Sequence, residues 1–192
     1  FKKKIAETKV PHKIIENIDI GGPSMVRAAA KNFKDVAVIT NTDDYRTLIK
    51  ELVKNKGSTT LSFRELMSSK AFGLTAYYDS IISNWFNDNQ KIEFPDKKLI
   101  YGRKIQDLRY GENPHQKSSL YISNYNKNGI GLKQLNGKEL SYNNHNDINS
   151  ALQILFSIKK KFATVIIKHA NPCGVAINDL PLNSFKNAYS CD

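Results

Sequence analysis

Ala163-Thr164-Val165-Ile166-Ile167 runs straight into Lys168-His169 and on through Ala170-Asn171-Pro172-Cys173-Gly174. A continuous β-branched run bounded by Pro and Gly predicts a strand covered on both faces. Lys168 and His169 stand where that strand stops, and Asn171-Pro172-Cys173-Gly174 predicts a turn directly after them. In open α/β sheets, ligands sit beyond the carboxyl ends of such strands. A Lys and a His side by side at that edge supply a cation and a proton acceptor. The plainer reading is a basic strand end that keeps a loop soluble, and residue types alone leave both open.

Upstream, the pattern alternates between strand-like and helix-like stretches. Leu99–Leu108 reads as a strand feeding the octet Arg109-Tyr110-Gly111-Glu112-Asn113-Pro114-His115-Gln116. The octet gathers a guanidinium, a phenol, an amide and an imidazole around Gly and Pro. Arg109 offers a fixed fork of donors suited to phosphate or carboxamide oxygens. A self-bonded surface loop is the structural alternative. Leu132–Leu135 and Asn136-Gly137 predict one arm and the turn of a hairpin. Asn146 or Asp147 is placed to cap a helix over Ile148–Ile158, and Pro181–Tyr189 closes the chain as another helix.

Nearer the N-terminus, Pro11–Glu16 reads as a short helix. Asn17-Ile18-Asp19-Ile20-Gly21-Gly22-Pro23-Ser24 follows. Gly21 and Gly22 permit close approach of a ligand to bare N–H groups. Pro23 and Ser24 predict a helix start, with the helix running from Met25 to Asn32. Such a junction suits a phosphate or carboxylate, although a tight turn without a ligand is the commoner outcome. Asp19 precedes the loop, and Lys31 lies near the far end of the helix. Asp35–Thr40 reads as a short strand. A helix after the caps at Asn41–Asp44 ends near Gly57, and another begins around Thr60 with Ser62 and Glu65 at capping-box spacing. Its aromatic stripe reads as core or interface. This alternation predicts an α/β fold. Composition breaks at Asn87–Lys98, which divides the chain into domains 1–98 and 99–192.

Composition bounds the function. The chain has 192 residues, 40% hydrophobic and 24% charged, the make-up of an ordinary globular protein. No apolar stretch reaches a membrane span of about 18 residues. Cys173 and Cys191 are too few for a disulfide framework and point to a reducing cytoplasm. No paired Cys/His spacing suggests a metal. The net charge of +11 divides into +5 over residues 1–100 (17 basic, 12 acidic) and +6 over residues 101–192 (12 basic, 6 acidic). A nucleic-acid platform would cluster its cations among aromatics on one surface, whereas a spread excess favours small anions. The chain opens at Phe1 without Met, and a piece of a longer polypeptide is expected.

Four blocks carry a resemblance. They are Ile18–Gly22 with Arg27–Asn32, Leu108–Gln116, Leu140-Ser141-Tyr142-Asn143-Asn144, and Val165–Gly174. In this order they resemble the bifunctional purine-biosynthesis family. That family joins aminoimidazole carboxamide ribonucleotide (AICAR) transformylase to inosinate (IMP) cyclohydrolase. The register implies the C-terminal half of a methylglyoxal-synthase-like cyclohydrolase domain, then the first part of a cytidine-deaminase-like transformylase domain. Most of the folate-binding region falls outside this register.

The resemblance implies formyl transfer from 10-formyltetrahydrofolate to AICAR, followed by cofactor-free ring closure of formyl-AICAR to IMP. It assigns His169 as the base taking the amine proton and Lys168 as stabiliser of the oxyanion or leaving nitrogen. Arg109 and Tyr110 match AICAR-binding positions, with His115 and Asn171 in support. Asp19 matches the substrate-binding Asp of ring closure, Lys31 its proton-transfer Lys, and Gly21 and Gly22 its nucleotide loop. Cys173 has no covalent role in this chemistry and is expected as a small turn residue. The resemblance also implies a cytoplasmic homodimer. A catalytically incomplete nucleotide-binding piece of the enzyme and a basic nucleic-acid-binding module are the alternatives.

Overall fold

The computed structural model describes residues 1–123, 132, 134–159 and 162–191, and the chain falls into two units, Phe1–Tyr101 and Gly102–Asp192. In the first unit, α1 (Lys2–Glu7) and α2 (Pro11–Ile15) precede α3 (Gly21–Lys31). A 3-10 turn at Thr42–Asp44 leads into α4 (Tyr45–Lys54), and α5 (Leu61–Asn89) follows. Phe63, Met67, Ala71 and Thr75 recur every four residues on α5, and all four are buried. α3 packs across α5, where the Ser68 hydroxyl donates to the Ala30 carbonyl at 2.7 Å. Arg64 fastens the end of α3: its Nε donates to Phe33 O at 2.9 Å and its Nη2 to Lys34 O at 2.7 Å.

The N-terminal unit departs from its predicted pattern in three places. The stretch Asp35–Thr40, predicted as a strand, lies outside every strand. Extended backbone needs a neighbouring strand to satisfy its N–H and C=O groups, and this unit is helical, so its predicted alternation is not realised. The predicted capping box of Ser62 and Glu65 is replaced by Thr60. Its hydroxyl accepts from Phe63 N–H at 3.3 Å, and Glu51 Oε1 accepts from Thr60 N–H at 2.9 Å. Finally, α3 begins at Gly21 rather than after Ser24. Asp19 makes the earlier start possible, because its Oδ1 accepts the Gly22 N–H at 2.9 Å. The Asp19 N–H itself donates to Tyr78 Oη at 2.8 Å. A Cβ on Gly22 would overlap the Asp19 carboxylate.

In the second unit, β1 (Gly102–Asp107) and β2 (Ser119–Ser123) form an antiparallel pair, with β1 inside the predicted Leu99–Leu108 run. Then come α6 (Tyr142–Ser157), β3 (Phe162–Lys168), β4 (Asn171–Asn178) and α7 (Pro181–Tyr189). Gly137 bends with φ 90°, but Leu132, Gln134 and Leu135 belong to no strand, so the predicted hairpin arm is not formed there. Lys133, within that predicted arm, lies outside the described residues, as do Lys160 and Lys161 of the basic run.

α6 starts earlier than predicted. Ser141 caps it, accepting from Asn144 N–H, while Asn144 Oδ1 accepts from Ser141 N–H at 3.0 Å. This reciprocal capping box satisfies two orphan donors at once. Asn146 and Asp147, the predicted caps, therefore lie inside the helix.

β3 occupies the predicted apolar run, but its partner and surroundings differ. Helices α6 and α7 both pack on it, and Phe162–Ile167 are half-buried while Lys168 is exposed. It pairs antiparallel with β4, Lys168 opposite Asn171. The segment Asn171-Pro172-Cys173-Gly174, predicted as the turn, is thus the first part of β4. A register shift after Ile166 absorbs Cys173 as the extra residue, and a bulge is where a strand tolerates Pro172. Ser184 of α7 donates to Ala176 O at 2.9 Å. Gly174 is buried against the α7 backbone, where a Cβ would collide with the Ala188 carbonyl. Among the described residues, no helix is long and apolar enough to cross a membrane.

Two glycine substitutions test these close approaches. Gly174→Ala should push α7 off β4 and cost about 1–3 kcal/mol, read as a lower urea midpoint with unchanged slope. Gly22→Ala should displace the Asp19 carboxylate and cost about 1 kcal/mol of helix start. Wild-type midpoints would contradict the packing described.

Candidate active site

The turn between β3 and β4 consists of His169 and Ala170, which hold φ values of 52° and 62°. A two-residue hairpin turn with both positions at positive φ is normally built from Asn and Gly. For residues bearing a Cβ this region costs roughly 1–2 kcal/mol each. Non-glycine residues in such conformations cluster at functional sites. Two side chains hold the turn. Asp147 Oδ1 accepts the Ala170 N–H at 2.8 Å, and Asn171 Nδ2 donates to His169 O at 2.9 Å. Lys168 and His169 are both exposed.

The octet is a self-bonded loop. The Gly111 N–H donates to Gln116 O at 2.9 Å, and the Gln116 N–H to Asn113 O at 3.0 Å. Gln116 Oε1 accepts from Asn113 N–H at 2.8 Å. The loop is fastened to the start of α6. The Arg109 N–H donates to Leu140 O at 3.2 Å, and the Tyr142 N–H to Tyr110 O at 3.1 Å. Asn143 Nδ2 donates to Glu112 O at 2.9 Å. The Arg109 guanidinium sits 4.8 Å from the centre of the Tyr110 ring, and its Nη2 donates to Tyr110 Oη at 3.2 Å. The Ser141 hydroxyl first, and Arg109 second, hold the Tyr110 phenol below its ordinary pKa. His115 is exposed in the same loop.

These two motifs meet. Glu112 of the octet and His169 of the turn line one cleft of about 240 Å³, together with Asn143, Asn146, Asp147 and Ala170. The floor is the first two turns of α6. Lys168, Arg109, Tyr110, His115 and Asn171 are not among its lining residues, although each is sequence-adjacent to one or tied to it through its loop. Asn143, Asn146 and Asp147 escaped the sequence reading as site residues. A cluster of Asn and Asp at a helix start signals capping, which masks any other use.

In the N-terminal unit, Asp19, Gly21 and Gly22 gather at the start of α3 and Lys31 at its end. A helix of eleven residues places those ends roughly 16 Å apart. Asp19 and Lys31 are therefore not brought together within this unit.

A family model described as the AICARFT/IMPCHase bienzyme matches residues 29–192. The bifunctional purine biosynthesis protein PurH of Bradyrhizobium diazoefficiens is 50% identical over 181 residues, 93% of this chain and 34% of that protein. PurH of a Thermoanaerobacter species is 48% identical over 194 residues, 100% of this chain and 38% of that protein. PurH of Cereibacter sphaeroides is 44% identical over 195 residues, 100% of this chain and 37% of that protein. The chain thus spans little more than a third of the length of these curated relatives. With its matched blocks lying in the octet loop, the start of α6 and the β3–β4 turn, the chain belongs to the AICARFT/IMPCHase bienzyme family.

Proposed function

We propose that the polypeptide carrying this chain completes the purine ring in two steps. It transfers a formyl group from 10-formyltetrahydrofolate to AICAR, then closes formyl-AICAR to IMP with loss of water. The observation that supports this most is the convergence of Glu112 and His169 on one cleft in a chain of this family.

In the transfer, the AICAR amine attacks the formyl carbon. A new C–N bond forms, and the bond from that carbon to the folate nitrogen breaks. The amine is a poor nucleophile because its lone pair is conjugated with the carboxamide-bearing ring. His169 serves as the base that takes its proton. Lys168, one residue earlier, places its ammonium against the oxyanion of the tetrahedral intermediate or the departing nitrogen. Arg109 and Tyr110 bind AICAR, with His115 and Asn171 supporting. In ring closure, the carboxamide nitrogen attacks the new formyl carbon. Asp19 holds or deprotonates the carboxamide beside Gly21 and Gly22, and Lys31 transfers a proton. Standing at opposite ends of α3, Asp19 and Lys31 serve different parts of the nucleotide in this reading.

On this proposal the units correspond to part of a methylglyoxal-synthase-like cyclohydrolase domain and the first part of a cytidine-deaminase-like transformylase domain. The enzyme would act in the cytoplasm as a homodimer. A rival reading, in which this stretch binds nucleotide without turnover, draws on the third-length match to the relatives. Titration with AICAR and IMP beside both activity assays separates the two readings.

In the complete polypeptide, His169→Ala and Lys168→Ala should each lower formyl transfer by about 10²–10⁴-fold and spare ring closure. Lys31→Ala should do the reverse. Loss of both activities in every variant, with the circular dichroism unchanged, would overturn the two-site assignment. Arg109→Leu should raise the Tyr110 phenol pKa towards 10, followed by phenolate absorbance. Because the folded value is lowered, the linked stabilisation is present above the unfolded value and lost as pH falls through the folded one. An unchanged titration would contradict the Arg109–Tyr110 contact.

A further inference from the structure

We infer that the first two turns of α6 are the frame on which the transfer site is built, with Asp147 the positioning residue for His169 and Asn143 the positioning residue for the octet loop. The inference rests on the formyl-transfer reading and adds to it two residues with no assigned part in the chemistry. Asn143 and Asp147 are four residues apart on one helix, so they share a face, about 6 Å apart along its axis. Asn143 holds the loop through Glu112 O at 2.9 Å. Asp147 holds the turn through Ala170 N–H at 2.8 Å. Both residues line the cleft into which Glu112 and His169 bring their motifs. The helix is itself anchored at this end by the reciprocal bonds of Ser141 and Asn144, with Ser141 fully buried. One rigid element thus sets the separation between the substrate loop and the proposed base.

Asp147 acts on His169 through the backbone. The Ala170 amide is the one N–H inside the reversed turn that meets a carboxylate, and that bond favours the positive-φ geometry of both turn residues. Without it, His169 can relax to ordinary backbone angles, and its imidazole swings away from the reacting amine. A displacement of about 1 Å at a reacting group costs on the order of 10²-fold in rate. Binding of AICAR, carried by the loop, would change little.

The test uses the complete polypeptide with AICAR and 10-formyltetrahydrofolate. Asp147→Ala should lower kcat for formyl transfer by about 10–100-fold with KM for AICAR within about threefold, and should speed exchange of the Ala170 amide. Asp147→Asn keeps an oxygen acceptor at the same place and should recover most of kcat and of the amide protection. Asn143→Ala should show the opposite split, raising KM for AICAR more than it lowers kcat. If Asp147→Ala leaves kcat within twofold, or raises KM instead, the positioning role is overturned. It is overturned equally if Asp147→Asn is as slow as Asp147→Ala, which also covers the case of an unfolded alanine variant. Absence of formyl transfer in the wild-type polypeptide would remove the functional reading instead, while faster Ala170 exchange in Asp147→Ala would still report the anchor.

Discussion

The hydrogen bond from the Ala170 amide to the Asp147 carboxylate is the constraint on which the candidate site depends. Two residues with side chains, His169 and Ala170, occupy a backbone region that suits glycine. At roughly 1–2 kcal/mol each, the turn is disfavoured by about 2–4 kcal/mol in isolation. A hydrogen bond to a charged acceptor contributes about 1.5–3 kcal/mol. The two magnitudes are comparable, so this bond and the Asn171 side-chain bond to His169 O together decide whether the turn keeps its shape. The arrangement carries the signature of a conformation maintained for what it presents rather than for stability.

What it presents is a chain reversal with His169, the base of the proposed transfer, at the apex and Lys168 one residue before it. Antiparallel pairing of β3 with β4 places Lys168 at the last rung of the ladder and His169 immediately beyond. The bulge at Cys173 lets Pro172 sit in the strand, and the buried Gly174 lets α7 lie against it. The hairpin turn is also held by α6 through Asp147, and the octet loop by α6 through Asn143, so the turn, the octet loop and the helix start form one connected set of hydrogen bonds. Lys168 and His169 are exposed in this arrangement. In the proposed transfer, their electrostatic strength would therefore depend on a bound substrate displacing water from around them.

Much of this was legible in the residues, for identifiable reasons. The strand Phe162–Lys168 and the helix Pro181–Tyr189 follow from an unbroken β-branched run and a Pro at the first helical position. Lys168 and His169 stood out because polar residues ended an apolar run. Pairing direction was not legible, since a continuous apolar run is the same pattern for a strand of a parallel sheet and for a strand of a hairpin packed by helices. The Asp35–Thr40 stretch looks like a strand locally, but a ladder needs a distant partner that local pattern does not reveal. The start of α6 was ambiguous because Ser141, Asn144, Asn146 and Asp147 all suit a cap, and only the reciprocal geometry of the first two selects between them. That same ambiguity hid Asp147 from the site.

The central claim is that the octet loop and the β3–β4 turn act on one substrate. The most direct measurement is residue-resolved amide exchange in the complete polypeptide, with and without saturating AICAR. The account predicts that amides in 109–116 and in 168–171 slow together as AICAR is added, with the same half-saturation. Binding of AICAR that slows one segment and leaves the other unchanged would contradict it.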